Sequence, residues 1–249
     1  MTASLHRPWL TVIVISKDDP SGLTATLRSI ESQSNLPDEV VLVTKGSSSD
    51  LDLAAFHLPS LRHEAQQDQG ISSAFNLALS LASGEWVNFL NGGDTFSNAG
   101  VVDALRSRFR ADIDIVAGRA RDRKTGNLIP RDLYFNARRV DQISHQASLF
   151  RRALFERHGG YSPDFKIRMD FEWMLRVADE ARVEWVDDVL CEFEGGGASS
   201  IDPVRSCREE LDALRLHDAS WTRRARLFGL YLPFRVVRGW MRNLRSGQP

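Results

Sequence analysis

Gly84-Glu85-Trp86-Val87-Asn88-Phe89-Leu90-Asn91-Gly92-Gly93-Asp94 is the stretch whose reading decides how this chain folds. Trp86 to Leu90 is a short apolar run that reads as a strand. It breaks at Asn91-Gly92-Gly93-Asp94, where two glycines let backbone approach a ligand closely. Upstream, Ile71, Phe75, Ala78, Leu79 and Ala82 recur at helical spacing and predict a helix closed by Ser83 and Gly84. Before it come a weak strand at Leu61 to Glu64, a short helical piece, the polar loop Thr44 to Asp50 and a strand at Val40 to Val43. The first strand, Trp9 to Ile15, is β-branched and continuously apolar, as in a strand buried on both faces of a parallel sheet. Its helix carries Leu23, Leu27 and Ile30 on one stripe, with Ser21 as the expected cap. Strand and helix thus alternate four times. Such alternation predicts right-handed crossovers and an α/β fold: an open, mostly parallel, Rossmann-like sheet with helices on both faces. Ligands of such sheets bind beyond the carboxyl ends of the strands, here Ser16, Thr44 and Asn91.

Beyond Asn98 the pattern loosens into a helix to Phe109, a strand Ile113 to Ala117 and a hairpin turning at Thr125 and Gly126. The 249 residues, set against about 150 per domain as a soft prior, allow one large domain or two small ones. Residues 1–95 and 96–218 are expected to form the two halves of one domain, followed by a separate segment, 219–249. Hydrophobic residues at 42% and charged residues at 26% exclude a disordered, collagenous or disulfide-built chain. The net charge is −1, yet the last 30 residues hold seven arginines and no acid, which leaves the body near −8. An acidic body argues against nucleic acid as a partner. The tail interleaves its arginines with Trp221, Phe228, Tyr231, Phe234 and Trp240, an amphipathic helical pattern suited to an anionic membrane surface or to packing on protein. Cys191 and Cys207 show no metal-ligand spacing and are expected as free thiols in a reducing, cytoplasmic compartment. The seven-residue run Trp9 to Ile15 is too short for a membrane span and lacks a cleavage pattern.

Several side chains can carry chemistry. Asp94, at a strand end behind two glycines, suits a hard cation such as Mg²⁺ or Mn²⁺, which takes one or two carboxylates plus water and phosphate oxygens; it suits equally a cap for the next helix. Asp170, in Arg168-Met169-Asp170-Phe171-Glu172-Trp173, opens a helix whose dipole keeps a carboxylate ionised and able to accept a proton; a plain first-turn acid would stand there too. His145 reads most simply as a hydrogen-bonded structural residue. Glu192 and Glu194 precede Gly195-Gly196-Gly197-Ala198-Ser199-Ser200, either a loop that closes over a ligand or a connector. No glycine fingerprint follows the first strand, which argues against a dinucleotide dehydrogenase.

Taken in order, these pieces resemble a family 2 glycosyltransferase of the GT-A fold, the nearest likeness being to transferases of bacterial capsule, exopolysaccharide and colanic acid assembly. Four segments carry the resemblance: Thr11 to Ser16 with Gly22-Leu23, Leu27-Arg28-Ser29-Ile30 and Gln33; Asp68-Gln69-Gly70-Ile71 with Ala74 and Asn76; Gly84-Glu85 through Asp94, a variant of the metal-binding DxD motif; and His145-Gln146, Gly159-Gly160-Tyr161 and Asp170-Phe171-Glu172 to Arg176. The resemblance implies inverting transfer from a nucleoside diphosphate sugar, with UDP the expected nucleotide, to a hydroxyl of a glycan or lipid-linked acceptor. It assigns residues 1–95 to the nucleotide and 96–218 to the acceptor. Asp94 would hold the Mg²⁺ or Mn²⁺ and Asp170 would be the base. Ser16, Asp68 and Asn91 would line the donor site, and His145, Glu172 and Arg176 the acceptor side. Lys45 stands where the family usually carries an Asp, Gly93 where the motif has its penultimate acid, and Ser73 where an Asp is frequent. Lys45 in particular keeps open an alternative from another class, a sugar-nucleotide-binding assembly partner without turnover.

Overall fold

The computed structural model describes residues 8–67, 70–130, 143–194 and 202–217. Asp68, the 195–200 loop and the basic tail lie outside the described residues. The strands are β1 (Leu10–Lys17), β2 (Glu39–Lys45), β3 (Leu61–Ala65), β4 (Trp86–Asn91), β5 (Thr95–Phe96), β6 (Ile115–Asp122), β7 (Leu128–Ile129), β8 (Ser148–Arg151) and β9 (Val183–Phe193). The helices are α1 (Pro20–Glu31), α2 (Ile71–Leu81), α3 (Val101–Ser107), α4 (Arg152–His158), α5 (Met169–Val177) and α6 (Pro203–Leu216).

This is an α/β fold built on one mostly parallel sheet, ordered β3-β2-β1-β4-β8-β6-β9-β5, with β7 paired to β6. β3, β2, β1 and β4 run parallel, as the alternation predicts. β8 then inserts antiparallel to both β4 and β6, while β6 runs parallel to β9. Alternate residues of β1 divide the core. Val12 and Val14 pack with Leu23 and Leu27 of α1 and with Val102 of α3. Ile13 and Ile15 face the other way, onto Phe75 of α2, Leu154 of α4, Trp173 of α5 and Leu214 of α6. Period two along the strand thus places helices on both faces.

Local chemistry moves several boundaries. The α1 cap is Asp19, not Ser21: its Oδ1 accepts from Gly22 N at 2.8 Å, and Pro20, with no N–H to satisfy, begins the helix. α2 ends at Leu81 with Ala82 as C-cap, ahead of Ser83 and Gly84. Gly84 is needed for another reason, since a Cβ there would lie 2.6 Å from the backbone nitrogen of Thr11. The strand expected at Ile113 to Ala117 starts at Ile115 and runs on to Asp122, because β9 pairs along its whole length. The hairpin at Thr125 and Gly126 forms as expected, with Gly126 at φ 69° and Ala120 opposite Ile129. Both cysteines are free and buried.

Candidate active site

The carboxyl ends of β1 and β4 lie side by side, and their junction is held by main-chain contacts that leave no room for larger residues. Gly92 N donates to Ile15 O at 2.7 Å, and a Cβ on Gly92 would sit 2.5 Å from Ser16 Oγ. Ser16 Oγ lies 2.9 Å from Ser48 Oγ, which accepts from Asp19 N, so β1, the loop after β2 and the start of α1 meet at one hydroxyl pair. Gly93, at φ 96°, donates its N–H to Thr26 Oγ1 at 3.0 Å. Around this turn Asp94 folds back on its own strand end: Oδ2 accepts from Asn91 N and from Asn91 Nδ2, each at 2.9 Å. Asp94 is therefore not a helix cap. It is 6% exposed, and burial pushes its carboxyl above the ordinary value, more than the Asn91 hydrogen bonds and the charges of His145 and Arg123 pull it down.

Asp94 lines an open cavity of about 610 Å³ together with Asp19, Gly92, Gly93, Arg123, Lys124 and Glu194. Arg123 and Lys124 come from the β6–β7 hairpin, and sequence reading missed both. Arg123 Nη1 donates to Thr95 Oγ1 at 3.0 Å and its Nη2 to Gly93 O, while Lys124 Nζ lies 3.0 Å from Glu194 Oε1. The turn at Thr125-Gly126 was legible, but no spacing links residue 123 to residue 94. Among the described residues no three His, Cys, Asp or Glu side chains form a metal cage. One desolvated carboxylate at an open, polar cavity is nevertheless the donor set that Mg²⁺ or Mn²⁺ completes with water and ligand oxygens.

Asp170 lies in the first turn of α5, reached through a different set of elements. Its Oδ2 is 3.0 Å from His145 Nδ1, and its Oδ1 accepts from Phe171 N at 2.8 Å. Burial raises its pKa, but the His145 hydrogen bond, the charges of His145 and Arg168, and the Phe171 N–H outweigh burial and hold it below the usual carboxylate value. The side chain keeps 24% of its area exposed. His145 stands edge-on to Phe75 and leaves its buried Nε2 without a hydrogen-bond partner.

Other residues named from the sequence are spent on the frame. Glu172 is 2% exposed, its two oxygens taken at 2.8 Å by Arg176 Nη2 and by His217 Nε2. Arg176 also donates to the carbonyls of His158 and Gly160. Asn76 clamps the main chain of Tyr161, donating to its carbonyl and accepting from its N–H, both at 2.8 Å. A Cβ on Gly160 would lie 2.3 Å from Asn76 Oδ1.

Comparison with known proteins bears on the family and the fold. Residues 11–177 match the family model described as glycosyl transferase family 2. The chain is 31% identical over 206 residues to an uncharacterized glycosyltransferase of Mycobacterium tuberculosis, covering 78% of each chain. Among solved structures, the mannosyltransferase PcManGT of Pyrobaculum calidifontis, in complex with GDP-Man and Mn²⁺, superposes with TM-score 0.70 at 18% identity, over 98% of this chain and 77% of that one. TarS of S. aureus, residues 1–349 with UDP-GlcNAc, gives 0.68 at 16% identity, over 84% and 65%.

Proposed function

The chain belongs to glycosyl transferase family 2 and is a glycosyltransferase; from that premise we propose inverting transfer of a sugar from a nucleoside diphosphate donor, a UDP-sugar first, to a hydroxyl of a glycan or lipid-linked acceptor in bacterial surface polysaccharide assembly. One observation carries the reading. His145 stands within electrostatic reach of two carboxylates in opposite conditions: Asp94, desolvated beside a cavity, and Asp170, held ionised by its hydrogen bond to His145. Two acids pushed apart by their surroundings take two different tasks.

Asp94, oriented by the Asn91 N–H and amide, would hold Mg²⁺ or Mn²⁺ against the donor diphosphate. When bound, the ion supplies Lewis-acid neutralisation of the charge that builds on the leaving group. Arg123 and Lys124, from the β6–β7 hairpin, add positive charge to the same cavity. Ser16 and Asn91, which brace the strand ends behind the cavity, and Asp68 are proposed to complete the donor site. Asp170 takes the proton of the acceptor hydroxyl as that oxygen attacks the anomeric carbon, opposite the departing diphosphate. His145 keeps the carboxylate aimed. Glu172 and Arg176 act beneath the acceptor side, as supports of α5.

The test is thermal stabilisation of the purified protein by a panel of UDP-, GDP- and dTDP-sugars, with and without Mn²⁺. Binding to the native state raises apparent stability by mass action, so the donor is expected as the Mn²⁺-dependent member with the largest shift. No shift with any nucleotide sugar would reject the reading.

A further inference from the structure

Resting on the reading of Asp170 as base, we propose that Glu209 is its positioning residue: from α6 it fixes the turn that launches α5, and so the direction in which Asp170 meets the acceptor. α5 has no cap of its own, since Arg168 at the N-cap makes no side-chain cap bond. The main chain of the turn just before α5 is held instead by an acceptor from a distant part of the chain. Glu209 Oε1 accepts from Lys166 N at 3.1 Å, and Oε2 from Ile167 N at 2.8 Å and Arg168 N at 2.9 Å. Three successive N–H groups thus converge on one carboxylate, and they end two residues before Asp170. Arg205 Nε closes the site on Oε1 at 2.9 Å. Such charge-assisted bonds are short, strong and directional. Burial pushes the Glu209 carboxyl up, but the main-chain donors of Ile167, Arg168 and Lys166, then Arg205, hold it below its ordinary value.

α6 is itself held at both ends. Asp202 caps it at Arg205 N, 2.9 Å, and Ala213 and Leu214 are buried in the core under α2 and α5. Two further ties join it to α5: Glu210 pairs with the Arg168 guanidinium, and His217 meets Glu172. Among the described residues, the charged and titratable groups that act on Asp170 are His145, Arg168 and the Tyr161 hydroxyl, so Glu210 bears on one of them directly. Residues 203–216 also lie beyond the segment 11–177 that matches the family, so this support is a feature of the chain outside the matched segment.

Glu209→Gln keeps the shape but sets amide hydrogens against the turn. In the full-length protein, affinity for UDP and GDP with Mn²⁺ is expected to stay within about twofold, while kcat, read as nucleoside diphosphate release, falls about 10²-fold, the usual cost of misplacing a reacting group by about 1 Å. The acid limb of kcat should move to higher pH, as Asp170 loses a well-placed Arg168. Glu210→Gln removes the carboxylate paired with Arg168 but leaves the three N–H groups satisfied, and should move the same limb with a smaller fall in kcat; Glu209→Asp, which keeps the charge but shortens its reach to the turn, carries the test with the same expected fall if Glu209→Gln does not fold. Unchanged kcat in Glu209→Gln overturns the proposal. So does a proportional loss of kcat and nucleotide affinity with the acid limb unmoved in both variants. Asp170→Asn separates the two ideas: if it retains turnover the reading of the base falls, whereas an inactive Asp170→Asn beside a fully active Glu209→Gln rejects only the positioning role.

Discussion

Asp94 and Asp170 are the residues at which physical chemistry and function are expected to part. Asp94 is buried with its carboxyl pushed above the ordinary value, so the ionised form costs the empty protein stability at neutral pH, a cost that disappears as pH falls through the raised native value. Asp94→Asn is therefore expected to raise the ligand-free melting temperature at pH 7. It should also weaken Mn²⁺-dependent nucleotide binding by at least about tenfold, the loss common for damage around a metal ligand. Both readouts come from one melting series with and without Mn²⁺ and nucleotide. Asp170 has the opposite sign. Its native value is depressed, so it contributes stability above the unfolded carboxylate value, and that stability is lost as pH falls through the native one. Asp170→Asn should leave nucleotide affinity intact and lower kcat by about 10² to 10⁴-fold, the span of a positioned base. Removing its partner with His145→Asn should shift the acid limb of kcat to higher pH, a displacement visible in a pH–rate profile.

Among whole elements, the segments that resemble the family turn out to divide between chemistry and scaffolding. Gln33 is 6% exposed and ties α1 to the start of α3, donating to Asn98 O at 2.8 Å and accepting from Val102 N at 3.1 Å. Thr11, Glu39 and Ser83 lock β1 to the loop before β4: Glu39 Oε2 accepts from Thr11 Oγ1 at 2.6 Å and from Ser83 N at 2.8 Å. Asn76 and Gly160, far apart in two motifs, make one joint between α2 and the turn after α4. Asn76→Ala removes both partners of a Tyr161 peptide packed among buried aromatics and should cost about 1–3 kcal/mol, the usual penalty for unpaired main-chain groups. Urea unfolding measures it. Nucleotide affinity of the folded fraction should be unchanged, because the α2 joint lies away from the β1–β4 ends.

At the scale of the molecule, the sheet's two faces are covered by α1 and α3 on one side and by α2, α4, α5 and α6 on the other. Among the described residues no helix is long and apolar enough to cross a membrane. Among the described residues the two cores end at Leu214, and the strands, Asp94 and Asp170 all precede Ser220, so truncation after Ser220 is expected to leave melting temperature and nucleotide affinity near those of the full chain. The seven tail arginines, each adding roughly 1 kcal/mol near an anionic leaflet, should make only the full-length protein sediment with anionic vesicles, and less so at high salt. A truncated protein that aggregates would assign the tail to protein packing instead.

The sequence by itself determined the strands and helices of the first half, the two-sided core and the placement of Ser16, Asn91 and Asp94 at strand ends. Those properties are written in local periods: two residues per strand repeat, 3.6 per helical turn, and glycines where a Cβ would clash. Asp170 was legible for the same reason, as an acid in the first turn of an amphipathic helix. Only the tertiary structure decided what surrounds these groups. Whether Asp94 is desolvated, whether Asp170 meets His145, and how Arg123 reaches the turn at Gly93 all depend on β8 entering antiparallel between β4 and β6 and on β6 pairing with β9. Glu209 is the clearest case. In sequence it is one acid on a charged helix, its partners 41 to 43 residues earlier. The contact exists because α6 must bury Ala213 and Leu214, and that packing carries the carboxylate to three waiting N–H groups. Local patterns state which groups need partners, and long-range packing selects the partners.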